Sequence, residues 1–415
     1  MSRQSPRTVI IGGGVVGLCS AYFLAKSGHQ VAVIDRDPSG RESCSNRNAG
    51  MIVPSHFTPL AAPGVISQGL KWMLNRKSPF YLRPRFDLQL AKWCWQFFRH
   101  SNRRHVENCS ELLRDLSLES RCLFAELADE LSFDLVERGL LMLCQSEAGL
   151  KEETEVAEAA RRLGLQAEVC GPARIRELEP GTRIDAIGGV WFPQDAHLDP
   201  EEFLSALRRG IAELGGVFIT DQIVDFRVTE QRVHSAVSLS GETHCADFFV
   251  LAGGAWSPPL AKSLGLELPI QGGKGYSFTL PNSGELPVIC SLLKEGRVAV
   301  TPMGRDLRVS GTMEICGNEL SIDPVRLAGI IESFCGFYPA YSKTDFEELE
   351  PWEGLRPCSP DGLPYIGKVR GIGNAIVASG HAMLGLSLGP VTGRLVSDLV
   401  KGGEADRRLH PGRFG

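Results

Sequence analysis

The sequence lacks several features that would settle its class at once. No apolar run approaches the roughly 20 residues that span a bilayer, which argues against a helical membrane protein. Paired cysteine spacing is missing. The 12 cysteines are scattered singly, with no C-x-x-C and no Cys/His pairing, which points to reduced thiols rather than a disulfide framework or a zinc site. Positive charge is not in excess. The net charge of −5 argues against nucleic acid as a bulk partner. Repeats and low-complexity segments are absent. Met1 to Arg7 leads straight into an apolar strand with no leader pattern, so a cytoplasmic protein is expected. What is present is a globular composition, 43% hydrophobic and 22% charged over 415 residues, enough for a sizeable core and two domains.

One stretch organises the rest: Thr8-Val-Ile-Ile-Gly-Gly-Gly-Val-Val-Gly-Leu18. It reads as a strand, a glycine turn and a helix start. Gly12, Gly14 and Gly17 have the G-x-G-x-x-G spacing of a dinucleotide-binding turn. Gly12 permits the sharp turn, Gly14 lets a pyrophosphate approach the backbone, and Gly17 lets the helix pack closely. The helix N-terminus offers unpaired N–H groups to the phosphates. A second strand, Gln30 to Asp35, ends in an acid placed for a ribose hydroxyl. The competing reading is a glycine-rich turn of some other α/β protein. The loop after Asp35 carries Ser43, Ser45, Asn46, Asn48 and Gly50, small residues suited to a second side of a cofactor or to an ordinary polar turn.

Residues 71–104 interleave Trp72, Trp93, Trp95, Phe97 and Phe98 with Lys71, Arg76, Lys92, Arg99 and Arg104. The favoured reading is a helix with its aromatic side in the core and a basic side in water. The other is contact with a membrane surface. Phe133 to Cys144 alternates like a strand pair, and Pro200 to Leu214 is a helix stopped by Gly215-Gly216. Ala246 to Leu251 is a buried strand running into Ala252-Gly253-Gly254, a second place for close approach to a ligand. Near the C-terminus, Ala375 to Gly393 forms a strand, a small apolar loop and a helix with Pro390 near its start.

Four pieces now stand in order: Gly12 to Gly17 with Asp35, Leu251-Ala-Gly-Gly-Ala-Trp-Ser257, Trp352-Glu-Gly-Leu-Arg-Pro357 and Ser379-Gly-His-Ala-Met-Leu-Gly385. Together they resemble the FAD-dependent D-amino-acid oxidase superfamily over nearly the whole chain. Asn48-Ala-Gly50, Leu60-Ala-Ala-Pro-Gly-Val65, Lys71-Trp-Met73 and Gly273-Lys-Gly-Tyr-Ser277 look like bacterial D-amino-acid dehydrogenases. The resemblance implies an α/β chain. Its Rossmann-like, GR2-type FAD-binding domain would combine 1–60, 172–262 and 352–415. Its α+β substrate domain, 61–171 and 263–351, would contain an antiparallel sheet.

The same resemblance places non-covalent FAD on Gly12, Gly14, Val15, Val16, Gly17, Asp35 and Arg36. Further contacts would come from Ser45, Asn48, Ala49, Gly50 and Met51, from Val224 at the adenine end, and from Ala252, Gly253 and Trp256 at the middle. Gly380, His381, Leu384, Gly385, Leu386 and Ser387 would hold the flavin pyrimidine edge, where backbone N–H groups stabilise the charge that hydride transfer leaves. Arg356 would bind the substrate carboxylate through its planar fork; the alternative is an ion pair with Glu350 or Glu353. Tyr276 is a second carboxylate candidate or a packed sheet tyrosine. His56 is a pocket or a loop residue. The implied reaction is oxidation of a D-amino acid to an imino acid and then a 2-oxo acid. Electrons would pass to a quinone, a protein or oxygen. Hydroxy-D-proline, glycine, sarcosine or an opine would suit the same fold, and a non-catalytic FAD subunit is the reading from another class.

Overall fold

The computed structural model describes residues 5–37, 39–40, 42–73, 75 and 77–415. Arg76 of the basic stretch lies outside them. Two sheets carry the architecture. The first has six strands in the order Val217–Thr220, Gln30–Asp35, Arg7–Ile11, Phe248–Leu251, Ala375–Ser379 and Tyr365–Lys368. The first five are mutually parallel, and the last runs antiparallel. The inner strands are near-continuous apolar runs because both faces are covered, whereas the edge strand Val217–Thr220 is mostly exposed. Ile10, Val33, Val250 and Ile376 face one hydrophobic cluster, which includes Leu18, Cys19 and Val391 of two helices. Their neighbours Val9, Ile34, Leu251 and Val377 face another, shared with Phe226, Val233 and Ala236 of a small antiparallel sheet.

Helix Val15–Lys26 lies against helix Gly389–Val400. Two glycines set the closeness. A Cβ at Gly389 would stand 3.0 Å from Val15, and one at Gly393 would stand 2.6 Å from the Cys19 carbonyl oxygen. The N-terminal and C-terminal ends of the chain thus meet backbone to side chain in one layer.

The second sheet has nine strands. Its path runs Trp352–Cys358, Gln271–Leu280, Asp306–Ile315, Val298–Met303, Cys290–Leu293, Leu140–Cys144, Gly188–Phe192 and Glu168–Cys170, and the ninth strand, Phe80–Leu82, pairs with the end of Asp306–Ile315. Helix Pro324–Phe337, capped by Asp323, covers one face with Ile330, Phe334 and Phe337 against Tyr276, Phe278 and Val309. Gly188–Phe192 and Trp352–Cys358, expected among the cofactor-binding segments, both pair within this sheet. The alternating stretch 133–144 gives two strands that do not pair with each other. Leu135–Val136 joins Ala196–Leu198, while Leu140–Cys144 inserts between Cys290–Leu293 and Gly188–Phe192. All five residues of Leu140–Cys144 are buried, which a half-exposed hairpin would not allow.

Helix Leu88–His100 turns Leu90 and Trp93 inward and leaves Leu88, Trp95 and Phe98 exposed. Its outer face is therefore apolar as well as basic, unlike the favoured expectation of a purely basic one. Among the described residues no helix is long and apolar enough to cross a membrane. All 12 cysteines are unpaired.

Gly393→Ala would test the helix contact. Alanine gains ~1 kcal/mol in helix propensity, but the added methyl meets backbone that cannot swing aside, an overpacking cost of about 1–3 kcal/mol. A net loss of stability in urea denaturation is expected. An unchanged or higher midpoint would show that the two helices part easily.

Candidate active site

The parallel strands end at one edge in three small-residue segments, Gly12–Gly17, Ala252–Gly254 and Gly380–Ser387. Open α/β sheets bind ligands at such an edge. Gly12 has φ +111, and a Cβ there would stand 2.5 Å from the Ala252 carbonyl oxygen. At Gly17 a Cβ would overlap the Gly12 carbonyl. Neither position tolerates a side chain. Helix Val15–Lys26 has no acid in its first turn, so its positive end meets no side-chain anion of its own. The Asp35 carboxylate accepts the Gly13 N–H and, at 2.8 Å, the Asp37 N–H, which turns it toward the glycine turn. Arg36 lies 4.4 Å over the Trp256 ring and pairs with Glu42 at 2.6 Å. Val224 is exposed just beyond the point where Thr220 pairs with Asp35.

The polar loop after Asp35 is tied to both sheets. The Val15 N–H donates to Ser45 Oγ at 3.0 Å, with Val16 half-buried beside it. Three consecutive carbonyls are then held by three strands of the nine-stranded sheet. Ser277 Oγ donates to Arg47 O at 3.2 Å, Arg308 Nη1 to Asn48 O at 3.1 Å, and Thr301 Oγ1 to Ala49 O at 2.6 Å. Asn48 Oδ1 accepts the Gly50 N–H at 2.9 Å. Gly50 has φ +74, and a Cβ there would overlap the Leu198 carbonyl. Met51 pairs with His197. Two residues on, the Val53 N–H donates to Ser387 Oγ at 3.0 Å, which fastens this loop to the C-terminal glycine loop.

In that C-terminal loop, Gly380 has φ +78 and lies on the Tyr365 ring. His381 is buried, its Nε2 2.9 Å from Thr392 Oγ1; burial pushes its pKa down to about 3, so it stays neutral. Leu384, Leu386 and Ser387 are buried, and around Gly385 the nearest atom to an added Cβ is His381 Cβ at 3.7 Å.

Arg356 stands on Trp352–Cys358, opposite Gly273. Its guanidinium lies on Gly275, where a Cβ would overlap Nη1. Nη1 donates to the Thr312 carbonyl at 2.9 Å. Thr312 has φ +68, rare for a β-branched residue. The ladder slips here, with Lys274 opposite Glu314 but Tyr276 opposite Gly311. Such a bulge re-aims a backbone group. The Arg356 hydrogen bond goes to a neutral carbonyl, and the titratable groups that reach the guanidinium are the thiols of Cys358 and Cys44. Burial lowers its pKa, with the Cys358 and Cys44 thiols close by. Burial also pushes the Cys358 thiol up to about 12.

Tyr276 does not join Arg356. It is 1% exposed and packed under helix Pro324–Phe337. Its hydroxyl donates to Glu314 Oε2 at 3.1 Å and accepts from the Asp323 N–H at 3.3 Å. His56 is half-buried, its Nδ1 3.1 Å from Ser55 Oγ. Ser55 in turn donates to Asp195. Sequence reasoning passed over Thr312, Ser55 and Asp195. Gly273-Lys-Gly275 carried a faint signal for the first, since Gly275 has no turn to make inside a strand.

These surroundings fit an FAD molecule: bare backbone at Gly12 and Gly17, a held acid at Asp35, and a glycine loop at Gly380–Ser387. The family described as DAO, FAD dependent oxidoreductase, matches residues 7–399. The D-amino acid dehydrogenase of Allorhizobium ampelinum is 33% identical over 408 residues, 96% of each chain. That of Paramagnetospirillum magneticum is 33% identical over 404 residues, 95% of each. The solved glycine oxidase of Geobacillus kaustophilus superposes with a TM-score of 0.78 at 24% identity, over 99% of both chains. The iminodiacetate oxidase of Chelativorans sp. BNC1 gives 0.72 at 20% identity, over 98% of this chain and 99% of that one. At such identities these two speak to the fold alone. The family match opens with the residue that begins the first strand and stops one short of the last α-helix's end, taking in both sheets, so this chain belongs to the DAO family of FAD dependent oxidoreductases.

Proposed function

We propose that this chain oxidises D-amino acids at Cα to imino acids, which hydrolyse to 2-oxo acids. One observation carries the reading. Arg356 presents a guanidinium whose recorded hydrogen bond goes to a neutral carbonyl, in a place where burial disfavours its charge. A cation in that state gains most from an anionic ligand with two oxygens. The curated relatives named D-amino acid dehydrogenase supply the substrate class and hand.

FAD, when bound, supplies the hydride acceptor. Gly12, Gly14, Gly17, Asp35 and Arg36 would hold its ADP part, Ser45 to Met51 with Ala252 to Trp256 its middle, and Gly380 to Ser387 its flavin end. The chain's own work is orientation. Arg356 anchors the carboxylate, which leaves Cα as the pivot of the bound amino acid. Fixed geometry of this kind removes much of the entropic barrier. Tyr276, committed to Glu314, contributes as support for the strand rather than as a ligand. The reading also extends to a quinone as electron acceptor, at the inner face of a membrane. Exposed Phe86, Leu88, Trp95 and Phe98 around helix Leu88–His100, with Arg99 and Arg104 near them, support peripheral contact with an anionic bilayer.

Three measurements test this. Arg356→Ala should keep its flavin and lose at least ~100-fold in kcat/KM for D-amino acids, about 3 kcal/mol for a desolvated charge-assisted pair. Gly275→Ala should mimic it by displacing the guanidinium, and Arg356→Lys should recover only part. Normal turnover in Arg356→Ala would sink the amino-acid assignment.

The cofactor is read as non-covalent, since the Cys358 thiol is buried and held protonated. Acid precipitation should release all the yellow colour into the supernatant; colour kept in the pellet would contradict this.

Purified enzyme should float with vesicles containing anionic lipid. Replacing Trp95 and Phe98 by serine should abolish flotation without touching activity on a soluble dye. Failure of the unaltered protein to float would remove the membrane proposal.

A further inference from the structure

Three side chains from two distant parts of the chain form a continuous hydrogen-bonded line. Asp195 is 1% exposed, in the turn after strand Gly188–Phe192. One of its oxygens, Oδ1, accepts the Ser55 N–H at 3.1 Å, and the other, Oδ2, accepts the Ser55 hydroxyl. Ser55 Oγ lies 3.1 Å from His56 Nδ1. With its single proton given to Asp195, Ser55 can only accept from the ring, so Nδ1 carries the histidine proton. That leaves a lone pair on Nε2, for which no hydrogen-bond partner is recorded among the described residues.

The chain on either side of His56 is tied to the site. Three residues before His56, Val53 is bonded to Ser387 of the glycine loop. Four residues after it, the Leu60 N–H lies against Gly362, just beyond the strand of Arg356. Along the chain, His56 therefore lies between a residue bonded to the loop assigned to the flavin end and one packed just past the end of the arginine strand. The cationic neighbour that reaches it is Arg297.

An amino acid arrives at neutral pH with its nitrogen protonated, and a protonated nitrogen cannot release hydride from Cα. Building on the amino-acid reading above, we propose that His56, Ser55 and Asp195 form a relay that takes this proton from the substrate ammonium. The ammonium N–H bond breaks as the His56 Nε2–H bond forms. The Nδ1–H proton passes to Ser55 Oγ, and the Ser55 hydroxyl proton passes to Asp195. The net result is a neutral amine and a protonated Asp195 carboxyl, with His56 and Ser55 neutral at both ends. One positive and one negative charge disappear, which favours the transfer inside a poorly solvated site.

The electrostatics agree. Burial pushes Asp195 up to about 7, against lowering by its Ser55 hydrogen bonds, by Arg121 and by Gln194. The nearby Cys290 thiol stays protonated through burial. Burial, with Arg297 beside it, pushes His56 down to about 4, so its ring is neutral and ready to accept at pH 7. His56 touches the substrate in this scheme and is catalytic. Ser55 and Asp195 act through it and are positioning residues.

The test is the pH profile of kcat/KM for flavin-loaded enzyme with a D-amino acid and a dye acceptor. In the wild type the acid limb follows the relay. In His56→Gln, Ser55→Ala and Asp195→Asn the substrate must arrive already deprotonated. The ratio of kcat/KM at pH 10 to that at pH 7 should then rise by about tenfold or more. A merely structural lesion lowers both values and leaves the ratio alone. Flavin content and thermal midpoint identify variants that fold. Should Asp195→Asn fail to fold, Ser55→Ala, which removes one oxygen, decides. Ratios equal to wild type in the folded variants overturn the relay while leaving the amino-acid reading intact. A wild type that oxidises no amino acid overturns both.

Discussion

A buried guanidinium held on a neutral carbonyl is the constraint that the strands around Arg356 serve. Removing a cation from water is costly unless something negative meets it. Here the fold offers Arg356 a carbonyl and a floor of bare backbone instead. Three deviations from regular sheet are needed to do so. Gly275 gives up its side chain, the ladder slips by a residue, and Thr312 accepts an unfavourable φ. Each alone weakens a strand. The surrounding nine-stranded sheet, with helix Pro324–Phe337 packed on it, is large enough to hold all three in place.

The second requirement is that this arginine stand in a fixed relation to the glycine turn at the other sheet. The segment 45–53 meets it through hydrogen bonds in sequence: Ser45 to the first helix, three carbonyls to three strands, Val53 to the C-terminal loop. Backbone groups fixed at both ends leave little freedom for one sheet to slide against the other. A loop of small polar residues suits this work because its carbonyls, rather than its side chains, are the adhesive.

What was legible in the sequence was local. Gly12, Gly14, Gly17 and Asp35 lie within 24 residues, and the geometry that joins them is that of one strand, one helix and one more strand. The stop of helix Pro200–Glu213 just before Gly215-Gly216 is similarly self-contained. Arg356 stood out through the motif around it. Tyr276 was ambiguous because a phenol two residues from Lys274 shows its chemistry but not its face, and the bulge at Thr312 is marked only faintly, by Gly275 across the ladder. Asp195 and Ser55 are 140 residues apart. Helix Leu88–His100 shows why interleaving is ambiguous: Trp93 and Trp95 are two positions apart, so packing sends one inward and the other out.

The contact between helices Val15–Lys26 and Gly389–Val400 has a consequence for biogenesis. Strand Arg7–Ile11 has neighbours from residues 30 and 248 onward, and the sheet reaches its far edge only with residues 365–379. The glycine turn near the N-terminus therefore leaves the ribosome long before the helix that covers it exists. Until then helix Val15–Lys26 lacks the partner that packs on its Cys19 turn through Gly393. The sheet edge is complete only once residues 365–379 have joined it, and until then the first strand and helix, apolar on both faces, stay without the partners that bury them.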